Sequence, residues 1–345
     1  MRRTGSVAIQ VALGLTVLLG FAAIAVDIGL ARHHKHQFEL ASEAAAHAAA
    51  AKLDGTADGL VAARDTALAV AAENLVAGTP VVLDRNDAND PAGDVVLGYW
   101  EDGAFVPSTT PMETNSVRVV ARRAAMNTLF AWTAFETSTI AVGDYSIAQG
   151  GGPAADDCPF PLAIPDCELL NSGDICSGDL VLNNARVDNG AWSRTGYTQA
   201  NANYIRDALN PSICAGASGI DDVVTLNNGQ VTTAFQEMAK AVNTYGVPWN
   251  VEEHGTLPAQ DPKSRVSPYG KALLGQIVVF DDPDNCVNTQ YAGTHPIVGY
   301  ATIIIYDVVN DGTNKEIKAK KTCYLTDGKG GGGFFGTLVP PNFVR

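Results

Sequence analysis

Ser6-Val-Ala-Ile-Gln-Val-Ala-Leu-Gly-Leu-Thr-Val-Leu-Leu-Gly-Phe-Ala-Ala-Ile-Ala-Val26 carries no formal charge from end to end. Wound as an α-helix at about 1.5 Å per residue, it reaches roughly 32 Å, enough to cross a hydrocarbon core of about 30 Å. Arg2 and Arg3 before it give the positive start that a secretory signal also has. The apolar core of such a signal is only about 7–15 residues, and here helix-favouring sequence continues past the run. The reading predicts a membrane anchor rather than a removed leader.

That continuation extends the helix. Between Asp27 and Leu53 there is no proline and a single glycine, Gly29, and Leu40-Ala-Ser-Glu-Ala-Ala-Ala-His-Ala-Ala-Ala-Ala-Lys-Leu53 is rich in the strongest helix former. One helix is expected from the membrane to about residue 53. Its narrow alanine face suits close helix approach, either to a neighbouring subunit or to the chain's own domain. Arg32, His33, His34, Lys35 and His36 form a basic collar just past the apolar run, suited to lipid headgroups or solvent. Arg2 and Arg3 on one side nearly balance Arg32 and Lys35 on the other, so charge alone leaves the orientation open.

The cysteines decide it. Cys158, Cys167, Cys176, Cys214, Cys286 and Cys323 are even in number, follow the apolar run and contain no C-x-x-C pair. This favours disulfides in an oxidising compartment over a zinc site, with the pairing left open, and places the C-terminal side outside the cytoplasm. With 46% hydrophobic and 17% charged residues the chain is composed to fold, and its net charge of −14 argues against nucleic acid as a partner. Lys315, Lys318, Lys320 and Lys321 read as lysines guarding an exposed strand edge.

Three segments follow from the patterning: 1–53 with its span at 6–26, a helix plus β-rich region over 54–149, and a cysteine-containing α+β domain over 150–345 after Gly150-Gly-Gly-Pro153. A second helix is expected over Ala57–Ala77, with Asp58 or Thr56 near its start and Gly78 at its stop. Strands are expected at 81–83, 94–100, 104–106, 116–122, 139–148, 277–280 and 298–309, and helices at Asn127–Phe135 and Val231–Tyr245. Val231, Phe235, Met238, Val242 and Tyr245 give the last helix an apolar stripe, and the glycine-rich 328–336 reads as a loose tail. No constellation supports catalysis: there is no phosphate-binding glycine loop, no G-x-S-x-G and no H-E-x-x-H. No catalytic residue, cofactor or metal is assigned. Asp84–Asp90 and Asp281–Asp284 are oxygen-rich turns that suit solvent or calcium, without the EF-hand spacing.

The order of motifs over residues 2–53 resembles the TadE/TadG-like minor pilins (pseudopilins) of bacterial tight-adherence Flp pilus systems. The residues concerned are Arg3-Thr-Gly-Ser-Val-Ala-Ile-Gln10, the apolar run, Ala25-Val-Asp-Ile-Gly29 and Leu40-Ala-Ser-Glu-Ala-Ala-Ala-His-Ala-Ala-Ala-Ala51. Looser similarity continues over 94–123 and at 298–301. The resemblance implies Gly5, Ser6, Gln10 and Asp27 as processing or assembly positions. Processed pilins carry Glu where this chain has Gln10, so the charge thought to pair with a neighbour's amino terminus is missing. No D-x-S-x-S metal motif of the larger relatives is present.

The resulting expectation is an α+β protein, with a pilin-like transmembrane helix and a β-rich, disulfide-containing extracytoplasmic region. It would be single-pass in a bacterial inner membrane and would assemble or build a Flp (Tad) pilus, with other Tad pilins, the assembly machinery and membrane lipid as partners. The alternative is a membrane-tethered binding module or adhesin.

Overall fold

The computed structural model describes residues 5–101, 103–131, 138–171, 176–183, 190–211, 213, 218–220, 222–227, 232–267, 269–284, 286–287, 291–312, 314–325 and 330–344. The chain forms two compact units, one from 1–149 with the return segment 342–345, the other from 150–341.

The first unit is built on α1 (Gly5–Ala50), a single helix that begins with the apolar run. α2 (Ala57–Glu73) packs on its second half. Thr56 caps α2, its hydroxyl accepting from the Gly59 amide at 2.9 Å, while Asp54 accepts from the Thr56 amide and hydroxyl. α2 ends four residues before the expected Ala77 because Ala77 and Gly78 both take positive φ, +52° and +75°. That pair closes a tight hairpin between Leu75–Val76 and Thr79–Pro80. The expected strand at 81–83 is absent; those residues run on without a β partner.

Beside the helices lies a five-stranded antiparallel sheet. Its strands are β1 (Val95–Glu101), β2 (Ala104–Pro107), β3 (Ser116–Asn127), β4 (Thr139–Gln149) and the return strand Asn342–Phe343, which pairs with the end of β4. Glu101 opposes Ala104 across the β1–β2 turn, where Gly103 takes φ +78°. Val95, Val96, Leu97, Val117, Val119 and Ala121 are fully buried in the core of this unit. Of the expected helix at 127–135, Asn127 belongs to β3, Ala131 is helical, and 132–135 lie outside the described residues.

The second unit is a mixed sheet of β5 (Phe160–Pro165), β6 (Asp179–Asn183), β7 (Ala191–Thr195), β8 (Val223–Asn227), β9 (Lys271–Phe280), β10 (Gly293–Asp311) and β11 (Asn314–Thr322). β10 pairs with β8 through 293–296 and with β9 through 297–305; β8 continues to β7, then β5, then back to β9, so the pairing path closes on itself. Phe280, Tyr300, Leu226 and Val278 form its apolar core. α3 (Thr232–Tyr245) lies on β10 and buries Phe235, Met238 and Val242; Tyr245 is exposed and Val231 lies outside the described residues.

Two expectations are corrected here. The lysine strand β11 is not an edge, because β6 pairs along its outer side. Lys315 and Lys321 are buried, Lys315 donates to the Thr232 hydroxyl at 2.8 Å, and Lys318 pairs with the fully buried Asp307 at 3.6 Å. The glycine-rich stretch is also no loose tail. Gly330–Phe334 forms β12, parallel to β10 and antiparallel to Gly152–Pro153, with Phe334 and Phe335 buried; residues 328 and 329 lie outside the described residues. Glycine is required there because a Cβ at 332 would collide with the Pro153 carbonyl, and one at 299 would stand 2.6 Å from the Phe335 ring.

Candidate membrane and assembly interface

Along α1 burial divides the helix in two. From Val7 to Ala22 the described side chains are exposed, among them Val11, Leu15, Leu19 and Phe21, an apolar surface too large for water to tolerate without cover. From Asp27 onward one face is buried: Phe38, Ala41, Ser42, Ala45, Ala46, Ala49 and Ala50 are at most 1% exposed. Ala63, Arg64, Ala67 and Ala71 form the buried face of α2. The alanine face thus packs within its own unit, where small side chains let two helices and a sheet approach closely. The apolar half of α1 is left uncovered by its own unit as far as Ala22 among the described side chains.

β4 runs in the same direction as α1, and its contacts fix the register. His47 packs at a tilt against Phe343 of the return strand, 5.5 Å between centroids, the Ser42 and Ser146 hydroxyls bond at 3.0 Å, and Lys35 pairs with Asp144 at 3.5 Å. At the lower end of this series the Asp27 carboxylate accepts the backbone N–H groups of Leu129, Phe130 and Ala131 at 2.8, 2.9 and 2.5 Å. Asp27 is the first charged residue after the apolar run, and its side chain leans back toward the helix N-terminus as helical side chains do. It holds the connection after β3 by charge-assisted bonds of the kind found at a helix start. Its position after the apolar run was legible in sequence; its partners, more than a hundred residues away, were not.

Gly5 and Ser6 stand in the first turn of α1, and Gln10 is exposed on the apolar half. Arg2 and Arg3 lie outside the described residues. Of the basic collar, Arg32, His33, Lys35 and His36 are exposed and His34 is buried.

The acidic turn at 84–90 is organised by a cation from the chain itself. The guanidinium of Arg64, 5% exposed, donates to the carbonyls of Arg85, Asn86 and Val95 and to the Asn89 side chain, at 2.8–3.1 Å. Asn86 and Asn89, both at φ +54°, then stitch the turn to Asp90, Val95 and Leu97. The carbonyl oxygens a calcium ion would need are directed at Arg64.

Cys167 pairs with Cys286 and Cys176 with Cys323, with Cα–Cα distances of 5.9 and 4.6 Å and sequence separations of 119 and 147. Cys158 is also disulfide-bonded, and Cys214 lies outside the described residues. The second acidic turn folds over the first bridge: Asp282 accepts from the Cys286 amide at 2.7 Å, and Asp166 accepts from the amides of Cys167 and Asp282. Burial first, then the nearby Asp281 and Asp282 carboxylates, push Asp166 above the usual carboxylate range against those two amide bonds. Cys167, Asp282 and Cys286 offer ligand atoms within 4.8 Å of one another, but both sulfurs belong to the disulfide.

Residues 5–52 match the model of a family described as putative Flp pilus-assembly TadE/G-like. No curated protein and no solved structure matches the chain. The matched stretch coincides with α1, Gly5–Ala50, and takes in the apolar run, Asp27 and the alanine face: over its long amino-terminal helix the chain is TadE/G-like.

Proposed function

We propose that the chain is a structural subunit in the assembly of a bacterial Flp (Tad) pilus, held in the inner membrane by the apolar half of α1, with the rest of the chain extracytoplasmic. The observation that carries this reading is the coincidence of the family match with a helix that is exposed and apolar in one half and buried in its own domain in the other. The exposed half suits lipid and the helices of other pilins, since small residues such as Gly14, Gly20 and Ala22 permit close packing. The assembly role is non-enzymatic. Disulfides in the second unit agree with an oxidising compartment.

A clean deletion strain tests the reading. Loss of surface pili, restored by the full chain but not by a version lacking residues 6–26, is expected. Normal pili and normal adherence in the deletion strain would overturn it. A tethered binding module is the second reading, favoured by the second unit lying wholly outside the matched segment. It predicts intact pili with lost surface binding in the same strain.

A further inference from the structure

We propose that the sheet of the first unit, on its face away from α1, holds a binding site for a ring that carries a single carboxylate, built around Arg118. The site stands apart from the anchor and from the pilus reading, because its residues all belong to the sheet. On β4, Asp144 and Ser146 turn to α1, where they meet Lys35 and Ser42, so the pleat turns Tyr145 and Ile147 to the opposite face. Register adds their neighbours. Tyr145 opposes Val120, Ile147 opposes Arg118, and across the β1–β2 hairpin Trp100 opposes Phe105. These residues line one cavity of about 380 Å³. Small-molecule sites run from about 300 to 1,000 Å³, walled by apolar and aromatic groups around a few polar ones. Here Trp100, Phe105 and Tyr145 are the aromatic walls, and Arg118 is the cation among them.

Arg118 is held in place but not neutralised. Its guanidinium lies over the Phe105 ring, 5.5 Å from the centroid, and Nη2 donates to the Pro91 carbonyl. Its Nε is buried with no acceptor among the described residues. Arg122, two residues on along the same face, is satisfied within the chain: it pairs with Asp94 at 2.9 Å and donates to the Ala92 carbonyl at 3.1 Å. No carboxylate among the described residues stands within ion-pair distance of Arg118. A half-buried guanidinium, oriented by a ring and lacking an anion of its own, is a fork prepared for a carboxylate. One cation calls for one negative charge, and the aromatic walls call for a ring beside it. A uronic acid sugar and an aromatic acid both carry that chemistry.

The test uses the full chain in lipid nanodiscs, with glucuronate and phenylacetate as probes, each beside its neutral counterpart, glucose and phenylacetamide. Dissociation constants are read by ligand-observed saturation-transfer NMR. At least one acid is expected to bind about tenfold more tightly than its neutral counterpart, the effect of one charge-assisted pair. Whichever acid does so names the source, sugar or aromatic. The preference should be lost in Arg118→Gln, and binding itself in Val120→Trp, which fills the cavity and leaves Arg118 in place; circular dichroism checks the fold of each. A wild-type measurement needs no variant: the bound acid should protect Arg118, but not Arg122, from phenylglyoxal, as read by mass spectrometry. Failure of both acids to bind would overturn the proposal. So would equal binding of acid and neutral counterpart, a preference unchanged in folded Arg118→Gln, or equal protection of Arg118 and Arg122.

Discussion

At the scale of single residues, the polar groups that matter are those whose partners lie far away in sequence. Asp27, just past the apolar run of α1, joins that helix to residues 129–131. Asp27→Asn keeps the size of the side chain but loses the charge that strengthens those bonds; faster proteolysis at 129–131, with helix content unchanged by circular dichroism, is the expected result. Arg64 is buried and serves several acceptors at once, so Arg64→Ala leaves buried carbonyls unpaired and should cost about 3 kcal/mol in denaturant unfolding. For the same reason chelating calcium should leave the thermal midpoint of the wild-type chain unmoved. Tyr291, Tyr300 and Tyr306 are each pushed up to about 12, by burial first and then by nearby carboxylates: Asp282 for Tyr291, Asp156 and Asp222 for Tyr300, Asp179 and Asp307 for Tyr306. In the unfolded chain they lose protons near pH 10, so between about 10 and 12 the folded state binds more protons than the unfolded one. Stability present below pH 10 is therefore lost as pH rises toward 12. Thermal midpoints across that range should fall, and Tyr300→Phe should remove about a third of the tyrosine part of the slope.

At the scale of elements, α1 does two jobs with two compositions. Its described side chains before Ala23 are all exposed; its second half is the spine on which α2 and the sheet are laid. Ala67 has no exposed surface, so Ala67→Leu would overpack the α1–α2 seam and cost about 1–3 kcal/mol, read as a lower urea midpoint. Both helices were legible because alanine-rich runs and the Thr56 cap act within a few residues. The end of α2 was less so, because the Ala77–Gly78 turn is set by the pairing of Leu75–Val76 with Thr79–Pro80 and not by helix propensity. The run of lysines at 315–321 signalled a strand, yet it does not say whether another strand lies outside it; β6, more than a hundred residues earlier, does. The glycines at 330–333 imitate a flexible segment in composition, and only the neighbouring Pro153 carbonyl and Phe335 ring show that they are there for want of space.

For the whole molecule, disulfides span long stretches of the second unit, and each is expected to contribute about 2–4 kcal/mol by limiting the unfolded chain. Reduction should lower the thermal midpoint and open sites between 150 and 341 to protease, while peptides from 27–149 stay protected. That outcome is read by mass spectrometry of limited digests with and without reductant. The sequence by itself determined the elements governed by local chemistry: the membrane-length apolar run, the helix continuing beyond it, the strands β1 to β4 with parts of β9 and β10, and the even set of cysteines. Only the tertiary structure decided the cysteine pairs that can be described, the closed path of strands in the second unit, the internal use of the alanine face, and the residues that Asp27 and Arg64 bind. The reason is physical. Helix propensity, hydrophobic period and transfer from water act over a few neighbouring residues and can be read along the chain. Pairing, packing and the filling of a buried hydrogen-bond site depend on which distant segments the fold brings within a few ångströms of one another.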